Sequence, residues 1–269
     1  MIEINNVSFF LIALLRWFEI AAVLLLVGIV TFREISYLPA LQLVKHRPTR
    51  VQILAAQDRH TVIYLRFLLY LLILLQCSVV LSRIFVMKGD ILLALSDGIF
   101  GIIVGAKLFL IGLLLTFAAS KSTWRGPLLF SLGSLLCLTG SFSGHAFASG
   151  EIHLVLTDWL HFTAVSVWAG GLLPLRDAAH RSRTHLEPAK RAVFLSRLIE
   201  VFSIWAILCV MTIVMTGSFN AMIYLESVDD ILEAAYGKLL FIKLVIVSIA
   251  IGLGGVSRFY ILPRLRKIS

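Results

Sequence analysis

Long apolar runs, each long enough to cross a lipid bilayer, dominate the chain. A helix needs about 20 consecutive apolar residues to span the hydrocarbon core. Seven such runs occur, at 8–31, 61–82, 98–119, 126–143, 154–175, 198–220 and 239–262. All seven are predicted to be helices, because backbone polar groups in lipid have no other hydrogen-bonding partners. The pattern predicts an all-α polytopic transmembrane helix bundle, forming a single integral membrane domain over residues 1–269.

The composition agrees with this pattern. Of the residues, 59% are hydrophobic and 14% are charged, whereas a soluble domain carries about a quarter charged residues. Water-soluble, disordered and coiled-coil chains are therefore excluded. Cys77, Cys137 and Cys209 lie in three different predicted spans and form no C-x-x-C pair, so we expect buried packing thiols and no disulfide.

The formal charge of +9 is distributed unevenly along the chain. The segments 33–59, 121–125, 176–197 and 258–267 hold 17 of the 24 Lys and Arg residues, and the segments that alternate with them hold three. Because basic residues are retained on the cytoplasmic side of a membrane, this alternation predicts the N-terminus outside and the C-terminus inside. The basic excess therefore reports topology and favours anionic lipid headgroups of the bilayer as partners, with no support for nucleic acid.

Three charged residues interrupt the first and third predicted spans. Arg16 and Glu19 are three residues apart and share one face of the first helix, and Lys107 lies in the third. These charges also argue that the first span is a retained helix and no cleavable signal peptide. Charges inside a span are costly and are candidates for function. Two interpretations stay open: a structural ion pair that locks two helices, or a carboxylate on an ion or proton path that Lys107 lines or balances.

The densest group of polar residues surrounds the fourth and fifth spans. His145 ends the fourth span and His153 begins the fifth, both at the predicted outer face, and His161 lies about 12 Å deeper along the helix. Asp158 and Trp168 share the helical face of His161, and the carboxylate is predicted to orient the imidazole. A metal or haem site is favoured over histidines that are merely hydrogen-bonded in the structure.

Imidazole suits copper, zinc, iron and nickel, and thioether sulfur selects Cu(I). Met215 and Met222 on the sixth span reach the depth of the histidines and are predicted as soft ligands, with packing as the alternative. The chain contains no Walker A motif, G-x-S-x-G elbow or H-E-x-x-H helix. We therefore expect that the chain is not an enzyme.

An ordered set of residues in the second half of the chain carries a resemblance to a known family. In chain order the set is Gly144-His145-Ala146, His161, the stretch AVSVWAGGLL at 164–173 with Pro174, Arg197, Thr216-Gly217, Asn220, the run 236–240 with Lys243, Arg258-Phe259 and Pro263-Arg264. Over residues 126–267 this set resembles the copper resistance protein D (CopD-like) family of bacterial inner-membrane proteins, and Arg16 also fits.

The resemblance implies a multi-pass protein of the bacterial inner (cytoplasmic) membrane that moves copper between periplasm and cytoplasm. It also implies a small periplasmic copper-binding protein, CopC, as a partner. Carried over residue by residue, it marks His145, His161, Trp168 and Lys243. The chain departs from some relatives by carrying Asp158 where they have a further histidine.

Three functions are consistent with the sequence. The favoured one is a copper transporter that captures the ion at His145 and His153, passes it to His161, and offers Met215 or Met222 as a soft ligand. The second is a b-type haem or quinone-linked electron-transfer protein, which lacks an opposing axial histidine inside another predicted span. The third is a non-transporting copper chaperone for oxidase assembly.

Overall fold

The computed structural model describes residues 6–42, 47–87, 89–96, 98–120, 122, 124–143, 147, 150–224 and 235–268. All regular structure in these ranges is helical. The helices are α1 (Asn6–Phe32), α2 (Leu38–Leu41), α3 (Arg47–Val86), α4 (Ile91–Ser96), α5 (Phe100–Ala118), α6 (Arg125–Ser141), α7 (Ile152–His185), α8 (Pro188–Tyr224), α9 (Ala235–Val256) and α10 (Leu262–Ile268). Two π-helical turns, Arg33–Tyr37 and Ser257–Ile261, join α1 to α2 and α9 to α10.

Five helical segments of the described chain are long and apolar enough to cross a membrane. They are Ile12–Leu41, Val51–Phe85, Phe100–Ala118, Pro188–Ile223 and Gly237–Leu265. These segments contain the second, sixth and seventh predicted spans and overlap most of the first and third. The other two predictions fall on α6, which has 17 residues, and on the first part of α7, which has 34. The helical fold class is confirmed for the described residues, while the count of seven spans and their orientation stay predictions.

Helix α1 lies at the centre of the bundle and packs against α3, α6 and α7. Its apolar residues Leu26 and Val27 are fully buried, in a core shared with Leu69 of α3, Ile111 of α5 and Leu129 of α6. Burial of large aliphatic side chains from four helices in one cluster fixes these helices around α1.

The close crossing of α1 and α7 depends on two glycines. A Cβ atom on Gly28 would lie 2.2 Å from the carbonyl carbon of Gly170, and one on Gly170 would lie 2.2 Å from the carbonyl oxygen of Leu24. Neither position has room for a side chain, so the two backbones touch there. Small residues at helix contacts are the usual means of close packing in membranes, and this contact explains Gly170 in the 164–173 stretch.

The segment between α3 and α5 is a short helix bounded by two tight turns. Gly89 precedes α4 with φ +89° and Gly98 follows it with φ +60°, both in the left-handed region that favours glycine. The apolar side chains of Ile91, Leu92 and Leu93 on α4 are exposed, and Ala94 is buried.

Candidate functional site

The candidate site lies where α7 and α8 pack against each other in antiparallel orientation. Ala164 and Trp168 of α7 form a buried cluster with Cys209 and Ile213 of α8, and Val247 and Ala250 of α9 pack against it. At the His161 level of this interface α8 has Gly217, where a Cβ atom would meet the His161 ring at 3.4 Å. That distance is an ordinary van der Waals contact, so the imidazole lies directly against the backbone of α8 at Gly217.

Thr216 of α8 holds the imidazole of His161. Nδ1 of His161 lies 2.9 Å from Oγ1 of Thr216, and that Oγ1 lies 2.6 Å from the carbonyl oxygen of Thr212. A hydroxyl has one hydrogen and a carbonyl can only accept, so the short contact with Thr212 favours a hydroxyl that donates to that carbonyl and accepts from Nδ1–H. Of the two neutral tautomers, this arrangement favours the one that carries its hydrogen on Nδ1. The lone pair of Nε2 is then the one available to a metal ion.

The orienting role predicted for Asp158 falls to Thr216 in the structure. Within the described chain Asp158 forms no hydrogen bond or ion pair with His161. It acts on the imidazole only through space, as does Lys243 of α9 with the opposite sign. Spacing along α7 correctly places Asp158 near His161. The Nδ1 atom of the ring, however, faces α8 and bonds to Thr216.

Trp168 closes the helix interface below His161. Its side chain is 9% exposed and packs in the cluster formed with Cys209 and Ile213. The antiparallel register that places His161 beside Thr216 also places Trp168 beside Cys209. Trp168 lies about 10 Å from His161 along the helix axis. The imidazole is therefore separated from the other end of α7 by a packed indole ring.

The predicted outer histidines lie apart from His161. His153 is on the first turn of α7, half exposed, with Nδ1 3.0 Å from a carboxylate oxygen of Glu151 and its ring edge-on to Phe219. Eight residues separate it from His161, about 12 Å along the helix, so the two do not share one ion. His145 lies outside the described residues. Among those described, no group of three or more His, Cys, Asp or Glu side chains is placed to hold a metal ion.

The structure does not bring the predicted methionine ligands to His161. Met215 is 71% exposed and Met222 is 80% exposed. They are seven residues apart and so lie on one face of α8, whereas Ile213 and Thr216 form the face that packs on α7. The depth predicted for the two methionines agrees with this arrangement. Their predicted role as ligands beside His161 does not, because both lie on the face of α8 that points away from α7.

The charged residues of the first and third predicted spans form contacts that link helices. Nζ of Lys107 lies 2.5 Å from Oε1 of Glu19, joining α5 to α1, and the two side chains are largely buried. Arg16 donates from Nη2 to the carbonyl oxygen of Ser143 at 3.2 Å, beyond the end of α6. Of the two interpretations left open by the sequence, the structure has the ion pair that locks two helices. A role for these residues on an ion path stays a prediction.

Thr216 and Gly217 are site residues to which no role was assigned from the sequence pattern. Both belong to the set that carries the family resemblance, and that membership was the only sequence signal pointing to them. A threonine and a glycine in an apolar helix are ordinary residues, and their importance depends on which residue of α7 lies opposite.

Comparison with known proteins supports the resemblance. Residues 196–268 match the family Copper resistance protein D, a range that includes Thr216, Gly217 and Lys243 but not His161 or Trp168. The chain is 32% identical over 126 residues to the copper transport protein CutJ of Bacillus subtilis (strain 168). That alignment covers 46% of this chain and 22% of CutJ, so the chain spans less than a quarter of this curated relative. No solved structure matches the chain. The two matches confirm the resemblance to the copper resistance protein D family, which the family match carries over residues 196–268.

Proposed function

We propose that this chain handles copper in the bacterial inner membrane, moving the ion across the bilayer without catalysing a reaction. The observation that carries the proposal is the pairing of His161 with Thr216, which leaves Nε2 of the imidazole without a hydrogen-bond partner among the described residues and available as a ligand. The match of residues 196–268 to the copper resistance protein D family supports copper as the ion, as does the name of the relative CutJ.

The proposed orientation has seven spans, with the N-terminus outside. The segment 176–197 carries six Lys or Arg residues, and the stretch 144–153 carries none. By the retention of basic residues in the cytoplasm, α7 then runs inward from its first residue. His153 lies at the outer surface in this orientation, and His161 lies in the outer half of the membrane. Reporter fusions check it: alkaline phosphatase is active after residue 150, and green fluorescent protein is fluorescent after residue 187. The reverse pattern contradicts the orientation.

The proposed path begins with capture of copper by His145 and His153 and continues to Nε2 of His161. A transport site has to bind well enough for the ion to enter and weakly enough for it to leave. A single imidazole supported by nearby oxygen atoms meets that condition better than a closed set of four ligands. The donors on the described path are nitrogen and oxygen atoms, because Met215 and Met222 lie on the other face of α8.

Further inward movement requires Trp168 to leave its packed position, so we place the gate of the path at this residue.

A soluble periplasmic copper-binding protein of the CopC type is the proposed donor of the ion. A non-transporting chaperone needs the same outer ligands, and copper flux separates the two functions.

The test is copper uptake into sealed proteoliposomes that contain the full chain, measured by elemental analysis after external copper is chelated. We expect uptake by the native chain, loss of uptake to the level of protein-free vesicles in His161→Ala, and normal uptake in His180→Ala. His180 is a matched control, since it is an exposed histidine nearer the other end of the same helix. Copper that binds at His161 without crossing the membrane indicates the chaperone function. No bound copper refutes the proposal, and bound iron with a Soret band indicates the haem protein.

A further inference from the structure

A second polar feature of the molecule is a cleft of about 840 Å³ between the end of α1, one face of α3 and the loop that leads into α6. Its charged lining consists of Arg33, Glu34, Asp58, Arg59, Arg66 and Arg125. The cleft belongs to the segments rich in Lys and Arg, so the proposed orientation places it on the cytoplasmic side. Neither His161 nor any other residue of the α7–α8 interface lines it.

The positive charge of this cleft exceeds its negative charge. Four guanidinium groups face two carboxylates, and Arg33 contacts both of those carboxylates. Its bond to Asp58 is 2.7 Å from both Nε and Nη2. Arg59, Arg66 and Arg125 form no ion pair with any carboxylate in the part of the chain that the structure describes. Four cations and two anions leave the lining with a net positive charge, and three of its guanidinium groups have no carboxylate of the described residues within ion-pair distance.

Arg125 is the most constrained of these groups. It is 8% exposed, and its Nε and Nη2 atoms are buried without a hydrogen-bond partner among the described residues. A buried guanidinium without partners is costly because its hydration is lost and nothing replaces it. The carboxylate of Glu34, which packs against the backbone at Gly126, is committed to Arg33. An anion bound in the cleft next to Arg125 is the simplest means of offsetting this cost.

Two further features of the cleft suit an oxyanion. The hydroxyl oxygens of Ser120 and Ser122 each accept a backbone N–H at 3.2 Å, so their own hydrogens can be donated into the cleft. Arg33 and Glu34 begin the π-helical turn that follows α1, and such turns occur frequently at functional sites. Planar guanidinium groups with hydroxyl donors are the preferred partners of phosphate oxygens.

We infer that this cleft binds a phosphate group, held by Arg59, Arg66 and Arg125 with the hydroxyls of Ser120 and Ser122. The phosphate belongs either to the headgroup of an anionic phospholipid or to a free anion of the cytoplasm. The inference requires no copper, so the test of phosphate binding does not depend on copper transport by the chain.

The experiment measures the thermal unfolding midpoint of the full chain in a neutral detergent by tryptophan fluorescence. One arm adds inorganic phosphate against chloride at equal ionic strength, and the other adds dioctanoyl phosphatidylglycerol against dioctanoyl phosphatidylcholine. The variant is Arg59→Gln/Arg66→Gln, which removes two exposed charges at the cleft. The control is Arg176→Gln/Arg183→Gln, which removes two exposed charges from α7 outside the cleft.

We expect a phosphate-bearing probe to raise the midpoint of the native chain and of the control. The apparent dissociation constant is expected to rise about ten-fold or more in the cleft variant, because charge-assisted hydrogen bonds are lost. A shift with the lipid alone identifies a headgroup site, and a shift with inorganic phosphate identifies a site for a free anion. No shift with either probe, or an equal loss in both double variants, overturns the inference. If the double variant does not fold, Arg66→Gln alone is compared with Arg183→Gln under the same criteria.

Discussion

Replacing Thr216 by valine tests the tautomer of His161 directly. The change keeps the branched shape of the side chain and removes the oxygen that accepts from Nδ1 at 2.9 Å. A buried N–H that loses its partner costs about 1–3 kcal/mol. The neutral ring can avoid this cost by moving its hydrogen to Nε2, which removes the lone pair that we propose as the copper ligand.

The expected loss of copper affinity follows from that cost. Each 1.4 kcal/mol corresponds to a factor of about ten in a dissociation constant. Since the site is only partly buried, we expect a loss of about ten-fold. That value lies at the lower end of the 10–100-fold range for changes to groups that orient a metal ligand. Competition with a chromophoric copper chelator, using purified full chain, measures it.

Two variants control for packing and for loss of a hydroxyl as such. Thr216→Ser keeps the hydroxyl and is expected to keep the native affinity. Thr212→Val removes a hydroxyl one turn earlier on α8, where Oγ1 donates to the carbonyl oxygen of Leu208, and leaves the carbonyl that accepts from Thr216 in place. Native affinity in Thr216→Val, or equal losses in the valine and serine variants, refutes the reasoning. So does a ¹⁵N spectrum of the native chain that shows His161 protonated on Nε2.

Two further predictions concern stability. Lys107→Met leaves the Glu19 carboxylate buried without a partner and is expected to destabilise the fold by about 3–5 kcal/mol. The double variant Glu19→Gln/Lys107→Met is expected to recover most of this loss, as measured by unfolding in denaturing detergent. Additive effects of the two substitutions contradict the ion pair. Gly170→Ala places a Cβ atom 2.2 Å from the Leu24 carbonyl oxygen and is expected to lower the unfolding midpoint. The control is Gly105→Ala, where a Cβ atom meets nothing within 4 Å among the described residues, and it is expected to leave the unfolding midpoint unchanged or to raise it. An equal change of the midpoint in both variants contradicts the close crossing of α1 and α7.

Hydropathy predicted where the helices lie much better than where they end. The second predicted span, 61–82, lies inside α3, which has 40 residues, and the sixth, 198–220, lies inside α8, which has 37. Hydropathy reports the stretch that suits lipid, and a helix can continue beyond it into water. The extensions carry the basic residues of these segments, including Arg59 of the cleft.

The candidate site could be predicted only as far as one helix determines it. Spacing along α7 placed His161 with Asp158 and Trp168 on one face, but the ring is held by Thr216 of α8. Rise per residue placed Met215 at the depth of His161 but said nothing about its side of α8. The missing quantity in both cases is the register between two helices, which depends on side-chain packing such as that of Trp168 against Cys209.

The charges around His161 predict opposite changes of copper affinity for two substitutions. In the tautomer favoured by Thr216 the imidazole is neutral, so an arriving copper ion adds positive charge to the site. Asp158 favours that charge through space and Lys243 opposes it, since both act on the same ring without bonding to it. Asp158→Asn is therefore expected to weaken copper binding about two- to five-fold, and Lys243→Met to strengthen it by a similar factor. Chelator competition at low and high salt checks both changes, which shrink together as salt screens the charges. A loss of affinity in both variants indicates that they perturb packing, and the electrostatic account of the site then fails.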